Sequence, residues 1–212
     1  MRSQFNYVIG IDEVGRGPLA GPVVVAALAL PKNLKYGIRN TGMRLRDSKK
    51  LSVTQREKWF KLIKQKNIPY ALARVSPKVI DRINISRAAN LAAVKAFKRL
   101  ITNYKVANYK IFLDGGLYLN KISNFGFQIQ NSKTVVKGDE LIPAISLASI
   151  VAKVTRDRYM VKLSKKYPYY WFKENKGYGT KKHIAAIKKY GLSDIHRLTF
   201  VKKYNNLKTS VV

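Results

Sequence analysis

The chain carries 11 Asp and Glu against 42 Lys and Arg, a formal net charge of +31, so the places where its acids gather are informative. Asp12 and Glu13 are adjacent, directly after the apolar run Tyr7–Ile11, and the turn Gly15-Arg16-Gly17 follows. Asp114 ends a second apolar run, Tyr109–Leu113, with Gly115-Gly116 behind it, and Asp139 closes Val135-Val136-Lys137-Gly138. Neighbouring carboxylates repel each other, and a divalent cation offsets that repulsion. Acids at the ends of adjacent strands converge on one sheet edge, the usual place for sites in α/β proteins. Glu13 would face away from Asp12 in a regular strand; at a strand end, where Gly15 lets the backbone turn, both serve one site. Four carboxylates without Cys or suitably spaced His favour hard ions, Mg2+ or Mn2+. Two such ions a few ångströms apart suit in-line displacement at phosphorus, one activating water and one holding the leaving oxygen. Spacing alone leaves a second reading, in which some of these acids are helix caps or surface ion pairs.

The elements that must position these acids are legible in outline. Tyr7–Ile11 and Val23–Leu30 read as a strand hairpin, and Thr54–Lys66 as an amphipathic helix with Trp59, Phe60, Leu62 and Ile63. Tyr70–Val75 is a strand, Ser76-Pro77 opens a helical turn, and Ser86–Tyr104 is an alanine-rich helix. Tyr109–Leu113, Gly126–Gln130 and Thr134–Lys137 read as strands, and Ile145–Leu163 as a long helix. Tyr167–Thr180 reads as an aromatic loop, Lys181–Tyr190 as a helix, and Tyr204–Val212 as a fraying tail. The pattern predicts an α/β fold with a mixed sheet. We expect one domain over 1–212, with a core to about residue 166 and a C-terminal helical annex over about 167–212.

Composition narrows the function classes. With 46% hydrophobic and 25% charged residues the chain is globular rather than disordered. No apolar run reaches the ~20 residues of a membrane span, and Met1–Asn6 is too short and polar for a signal peptide. Cys is absent, which excludes a disulfide framework and a thiolate metal site. We expect a cytoplasmic, monomeric protein. The basic excess has two readings: attraction to a polyanion, or compositional drift in a chain rich in Lys, Asn, Ile and Tyr. A basic RNA-binding protein would explain the charge but not acids at strand ends.

These motifs together resemble the ribonuclease HII family of the bacterial type. Gly10-Ile-Asp12-Glu13-Val-Gly15-Arg16-Gly17-Pro18-Leu-Ala-Gly21-Pro22 resembles its opening block, and Asp47-Ser48-Lys49-Lys50-Leu51 its second. Leu113-Asp114-Gly115 resembles the third; Lys137-Gly138-Asp139 with Ala148 through Arg158 resembles the fourth. Lys176-Gly177-Tyr178-Gly179-Thr180, His183, and Gly191 through Phe200 resemble the C-terminal signature. The resemblance implies a ribonuclease H-like fold with a five-stranded mixed sheet. It also implies an endonuclease that cuts RNA in RNA–DNA hybrids and single ribonucleotides embedded in duplex DNA, using two Mg2+ or Mn2+ ions. It implies metal ligation and catalysis by Asp12, Glu13, Asp114 and Asp139. It further implies that Gly15, Arg16 and Gly17 read the ribose 2′-hydroxyl through backbone groups, the feature that separates RNA from DNA.

By the same resemblance Tyr178 stacks on the adjacent sugar, and Ser48, Lys49, Lys50, Thr180 and His183 contact substrate. His196 reads as structural, Tyr167–Phe172 as annex core, and Asp157 as a surface acid paired with its flanking arginines, Arg156 and Arg158. Gly116, Ala89 and Leu147 depart from the residues that the family usually shows.

Overall fold

The computed structural model describes residues 5–34, 45, 50–119 and 132–204. Its sheet has five strands in the order β3-β2-β1-β4-β5. β1 (Tyr7–Val14), β2 (Val23–Pro31) and β3 (Tyr70–Val75) run antiparallel in sequence. β4 (Tyr109–Asp114) and β5 (Ser132–Val135) continue the sheet from β1 in parallel. The short turn after β1 allows only a hairpin, whereas the helical crossover before β4 permits the parallel return. The expected mixed five-stranded sheet with flanking helices is therefore present.

Helices cover both faces. α1 (Val53–Gln65) begins on a capping box between Ser52 and Gln55. α2 (Pro77–Ile83) and α3 (Ile85–Tyr104) follow β3, and α4 (Gly138–Leu141) and α5 (Pro143–Lys166) follow β5. β2 sits between both layers and its side chains alternate between them. Val23, Val25, Ala27 and Ala29 pack with Ala92, Ala96 and Phe97 of α3. Ala26, Leu28 and Leu30 pack with Trp59 and Ile63 of α1 and with Leu147 and Val151 of α5. A strand buried on both faces needs an unbroken apolar run, which explains Val23–Leu30. At Gly10 of β1 the start of α5 packs directly on the strand backbone: a Cβ there would lie 2.1 Å from the Ala144 carbonyl carbon.

The annex comprises a 3-10 turn (Pro168–Tyr170), α6 (Phe172–Asn175), α7 (Lys181–Tyr190) and α8 (Leu198–Val201). Its core joins Leu19 and Ala20 of the β1–β2 loop to Met160 of α5, Phe172 and Ile187.

Several boundaries differ from expectation. β1 runs to Val14 rather than Ile11, because β2 keeps pairing through Val14 opposite Val24. The last strand is Ser132–Val135, not Thr134–Lys137, because Lys137 turns into a left-handed conformation (φ 54) ahead of α4. The segment 167–180 is not a plain loop, since it contains the 3-10 turn and α6. Its aromatics divide: Tyr170 and Phe172 are buried, while Tyr169 and Trp171 are half exposed. The expected strand Gly126–Gln130 and the tail beyond Tyr204 lie outside the described residues.

Candidate metal centre

Strand register brings the acids together. The parallel pairing of β1 and β4 ends with Ile11 opposite Leu113, so the next residues are Asp12 and Asp114. Beyond that point β1 is paired on the β2 side only, which leaves an open edge beside β4. Asp12 shares a face with Gly10 and takes a hydrogen bond from Ser149 of α5. Glu13 belongs to the opposite face and is held by Arg16, whose Nη1 donates to its Oε1 at 3.2 Å. Around the open edge the two faces meet: one carboxylate oxygen each from Asp12, Glu13 and Asp114 lie within 4.8 Å of one another.

The cluster is electrostatically costly. Burial pushes the Asp12 carboxyl well above the usual carboxylate range, and the charges of Glu13 and Asp114 push it further. Glu13 is also raised, chiefly by burial, although Arg16 pulls the other way. Glu13 Oε2 is buried without a hydrogen-bond partner. A buried, unsatisfied carboxylate oxygen beside two other carboxylates is a donor set suited to a hard divalent cation.

Asp139 is buried in the first turn of α4, and its carboxylate lies outside the three-residue grouping. Its turn is nevertheless tied to the cluster, since the Gly138 amide donates to Asp114 Oδ1 at 2.8 Å. Ser146 anchors the same turn by donating to the Asp139 carbonyl. Lys50 places its ammonium 3.5 Å from Glu140, beside that turn. Ser48 and Lys49 lie outside the described residues. Asp157 pairs with Lys153 at 3.0 Å, not with its flanking arginines as expected. Arg158 pairs instead with Glu57, and Arg156 turns inward.

The Gly15-Arg16-Gly17 turn lies directly over the annex. Gly15 has φ +89, and a Cβ there would meet Arg156 Nε at 2.3 Å, so only glycine fits. A Cβ at Gly17 would lie 3.9 Å from Tyr178 Cε1, so the turn and the half-exposed tyrosine ring are in contact range. The Leu19 amide donates to the Gly177 carbonyl at 2.8 Å, fixing the two loops together. Thr180 caps α7 by accepting from the His183 amide.

His183 is fully buried, so it reaches a ligand only through its neighbours. Its Nδ1 donates to the Tyr178 carbonyl at 2.8 Å, which leaves Nε2 to accept from His196 Nε2 at 3.0 Å. His196 Nδ1 in turn accepts from the Ser193 amide at 2.9 Å. Both rings are thereby fixed as neutral tautomers, and the expected structural role of His196 is what the geometry gives. Burial lowers His183, and burial with its histidine neighbour pushes His196 down to about 3. A base lowered in the folded state stabilises above its unfolded value and loses that contribution as pH falls towards the folded one. The histidine contribution is therefore full above about pH 6.5 and declines below it, with a slope of up to ~1.4 kcal/mol per pH unit per proton. Imidazole NMR signals followed through the weakly acidic range should show neither ring titrating at its ordinary value. A midpoint at that value for either would contradict the arrangement.

Known proteins are similar to this chain in sequence and in fold. Residues 9–203 match the family model described as Ribonuclease HII. A ribonuclease HII from Caldicellulosiruptor bescii is 45% identical over 204 residues, covering 96% of this chain and 90% of its own length. One from Ruminiclostridium cellulolyticum is 46% identical over 200 residues, covering 94% of this chain and 72% of its own length. The crystal structure of ribonuclease H2 from Pyrococcus horikoshii superposes with a TM-score of 0.70 at 28% identity, covering 94% of this chain and 97% of that one.

Proposed function

The chain belongs to the ribonuclease HII family, and from that premise we propose a metal-dependent endoribonuclease acting on two kinds of substrate. The first is the RNA strand of an RNA–DNA hybrid. The second is duplex DNA holding a single ribonucleotide, cut on the 5′ side to leave 3′-hydroxyl and 5′-phosphate ends. The observation that carries the proposal is a cluster of three carboxylates on one sheet edge, Asp12 buried and Glu13 and Asp114 partly so, with an unsatisfied Glu13 oxygen, in a chain of net charge +31.

In this reading Asp12, Glu13 and Asp114 hold the metal, with Asp139 as the fourth ligand from the adjoining turn. Two Mg2+ or Mn2+ ions bound there would supply the positive charge that phosphodiester hydrolysis needs at the attacking and leaving oxygens. Arg16 fixes Glu13, and Ser149 and the Glu13 amide fix Asp12, so the acids are oriented before substrate arrives. The backbone of Gly15, Arg16 and Gly17 reads the ribose 2′-hydroxyl, a donor and acceptor that DNA lacks. Tyr178 stacks on the neighbouring sugar. His183 and Thr180 act by holding Tyr178 and the start of α7 in place, and Lys50 joins Ser48 and Lys49 in meeting backbone phosphate. Residues 1–212 form one catalytic unit in this proposal, since annex residues complete the reading surface. Among the described residues no helix is long and apolar enough to cross a membrane. A monomer in the cytoplasm fits the proposal.

Tyr178 tests substrate reading. Tyr178→Phe keeps the ring face and should retain most activity. Tyr178→Ala should lose about 1–3 kcal/mol, the scale of one aromatic stacking contact, or ~10- to 100-fold in rate. The loss should be larger at a single embedded ribonucleotide than within a long hybrid, where the next sugar is also RNA. Cleavage of both substrates by the three proteins decides the matter. Equal losses for Phe and Ala would shift the role to the hydroxyl, and no loss for either would remove Tyr178 from the site.

A further inference from the structure

Two arginines among the described residues are fully buried, and each directs its guanidinium to three backbone carbonyls. Arg197 donates from Nη2 to the Gly15 carbonyl at 2.6 Å, from Nη1 to the Arg16 carbonyl at 2.8 Å, and from Nε to the Gly21 carbonyl at 2.9 Å. Arg156 donates from Nε to the Pro22 carbonyl at 3.1 Å and from Nη2 to the Ala20 carbonyl at 3.2 Å. Its Nη1 donates to the Lys176 carbonyl at 2.9 Å, two residues before Tyr178. Among the described residues neither guanidinium is in an ion pair.

We propose that Arg197, assisted by Arg156, is a positioning residue for ribonucleotide recognition, holding the Gly15-Arg16-Gly17 backbone in the shape that meets a 2′-hydroxyl. The inference rests on the reading of that turn given under Proposed function. Burying a cation without a carboxylate is costly, and a fold that needed only to glue its annex to the core would do so with apolar side chains. Burial and the nearby Arg156 push Arg197 down to about 9, which reflects that cost. What a guanidinium offers in exchange is a planar fork of several donors, able to fix the position and plane of several carbonyls at once. Lysine has no such fork.

The clamp is itself anchored at both ends. The Arg197 amide donates to the Leu19 carbonyl at 2.8 Å. The amides of Leu198 and Thr199 donate to the Asp81 carboxylate of α2 at 2.9 and 3.0 Å. Arg197 therefore transmits the position of the core to the turn, while Arg156 links the same loop to the backbone leading into Tyr178. The turn and the tyrosine are set relative to each other by side chains that touch neither substrate nor metal.

The test uses Asp12→Asn protein, so that nothing is cut. Affinity is measured for a duplex with one ribonucleotide and for the same duplex in DNA alone. With Arg197 intact, the ribonucleotide duplex should bind more tightly; no preference at this stage would refute the reading of the turn, and the inference with it, before Arg197 is altered. Adding Arg197→Lys should cut the preference by about tenfold while all-DNA binding stays within about twofold. An unchanged preference, or equal weakening on both duplexes, would overturn the proposal by leaving Arg197 a purely structural role. Arg156→Lys gives a second reading of the same clamp if Arg197→Lys does not fold. Failure of both variants to fold would assign the pair to folding alone and also overturn it.

Discussion

Asp12→Asn is expected to reduce cleavage by about a thousandfold or more while leaving duplex binding close to wild type. The substitution keeps the shape of the side chain and removes one charge from the donor set, and loss of metal-borne charge stabilisation is worth several kcal/mol in the transition state. In the proposed function binding rests on the basic surface, which the change does not touch. The same substitution should raise stability in metal-free buffer. Asp12 and Glu13 are both raised, chiefly by burial, with neighbouring carboxylate charge adding to it. Such acids favour folding at pH below their unfolded values and lose that contribution as pH rises through the raised ones. At neutral pH they therefore oppose folding, and a neutral Asn relieves the strain. Thermal unfolding should show Asp12→Asn melting above wild type without metal, by about 2–4 °C per kcal/mol relieved. Mn2+ should raise the wild-type midpoint and move the variant much less. Normal turnover by the variant in Mg2+, or an equal Mn2+ response in both proteins, would refute the metal assignment.

Gly10→Ala should unfold the protein or nearly so. The added methyl would lie 2.1 Å from the Ala144 carbonyl carbon, 2.3 Å from its oxygen and 2.3 Å from the Ile145 nitrogen. All three are backbone atoms at the start of α5, so no side-chain rotation makes room. The helix must move off the sheet, taking with it Ser149, which bonds Asp12, and Arg156, which bonds the Ala20 and Pro22 carbonyls ahead of β2. We expect a loss of about 4 kcal/mol or more, beyond the usual range for a point change. Thermal unfolding checks this directly. A midpoint within a few degrees of wild type would mean that α5 and β1 are not in contact at this glycine.

The contrast between Asp12 and Arg156 shows what a sequence exposes and what it hides. Asp12 and Asp114 each interrupt an apolar run of the same length, so their convergence follows from strand register and is legible in the sequence alone. Glu13 reaches the site by a different route from the one its sequence suggests. The apolar run points to a strand ending at Ile11, whereas β1 continues to Val14 and Glu13 joins the cluster past the end of the β4 pairing. Arg156 sits between Thr155 and Asp157 in a charged run, and charge suggests a surface. Its spacing says otherwise, because it lies four residues after Ala152 and four before Met160, both fully buried on α5. Arg197 and the His183–His196 contact carry no such periodic signal. They join residues far apart in the chain or on different annex elements, and only tertiary packing reveals them. Asp139 is legible as an acid after an apolar segment, but not its placement in a turn of its own.

The most direct measurement of the central claim is end mapping of cleavage. A DNA duplex with one ribonucleotide, and the same duplex without it, are incubated with wild-type protein in Mg2+ and in Mn2+, and the products are sized and their termini identified. We predict one cut on the 5′ side of the ribonucleotide, with 3′-hydroxyl and 5′-phosphate ends, no cut in the all-DNA duplex, and no cut when the metal is chelated. Cleavage of both duplexes alike, cleavage that persists in chelator, or no cleavage of the ribonucleotide duplex in either metal would contradict it.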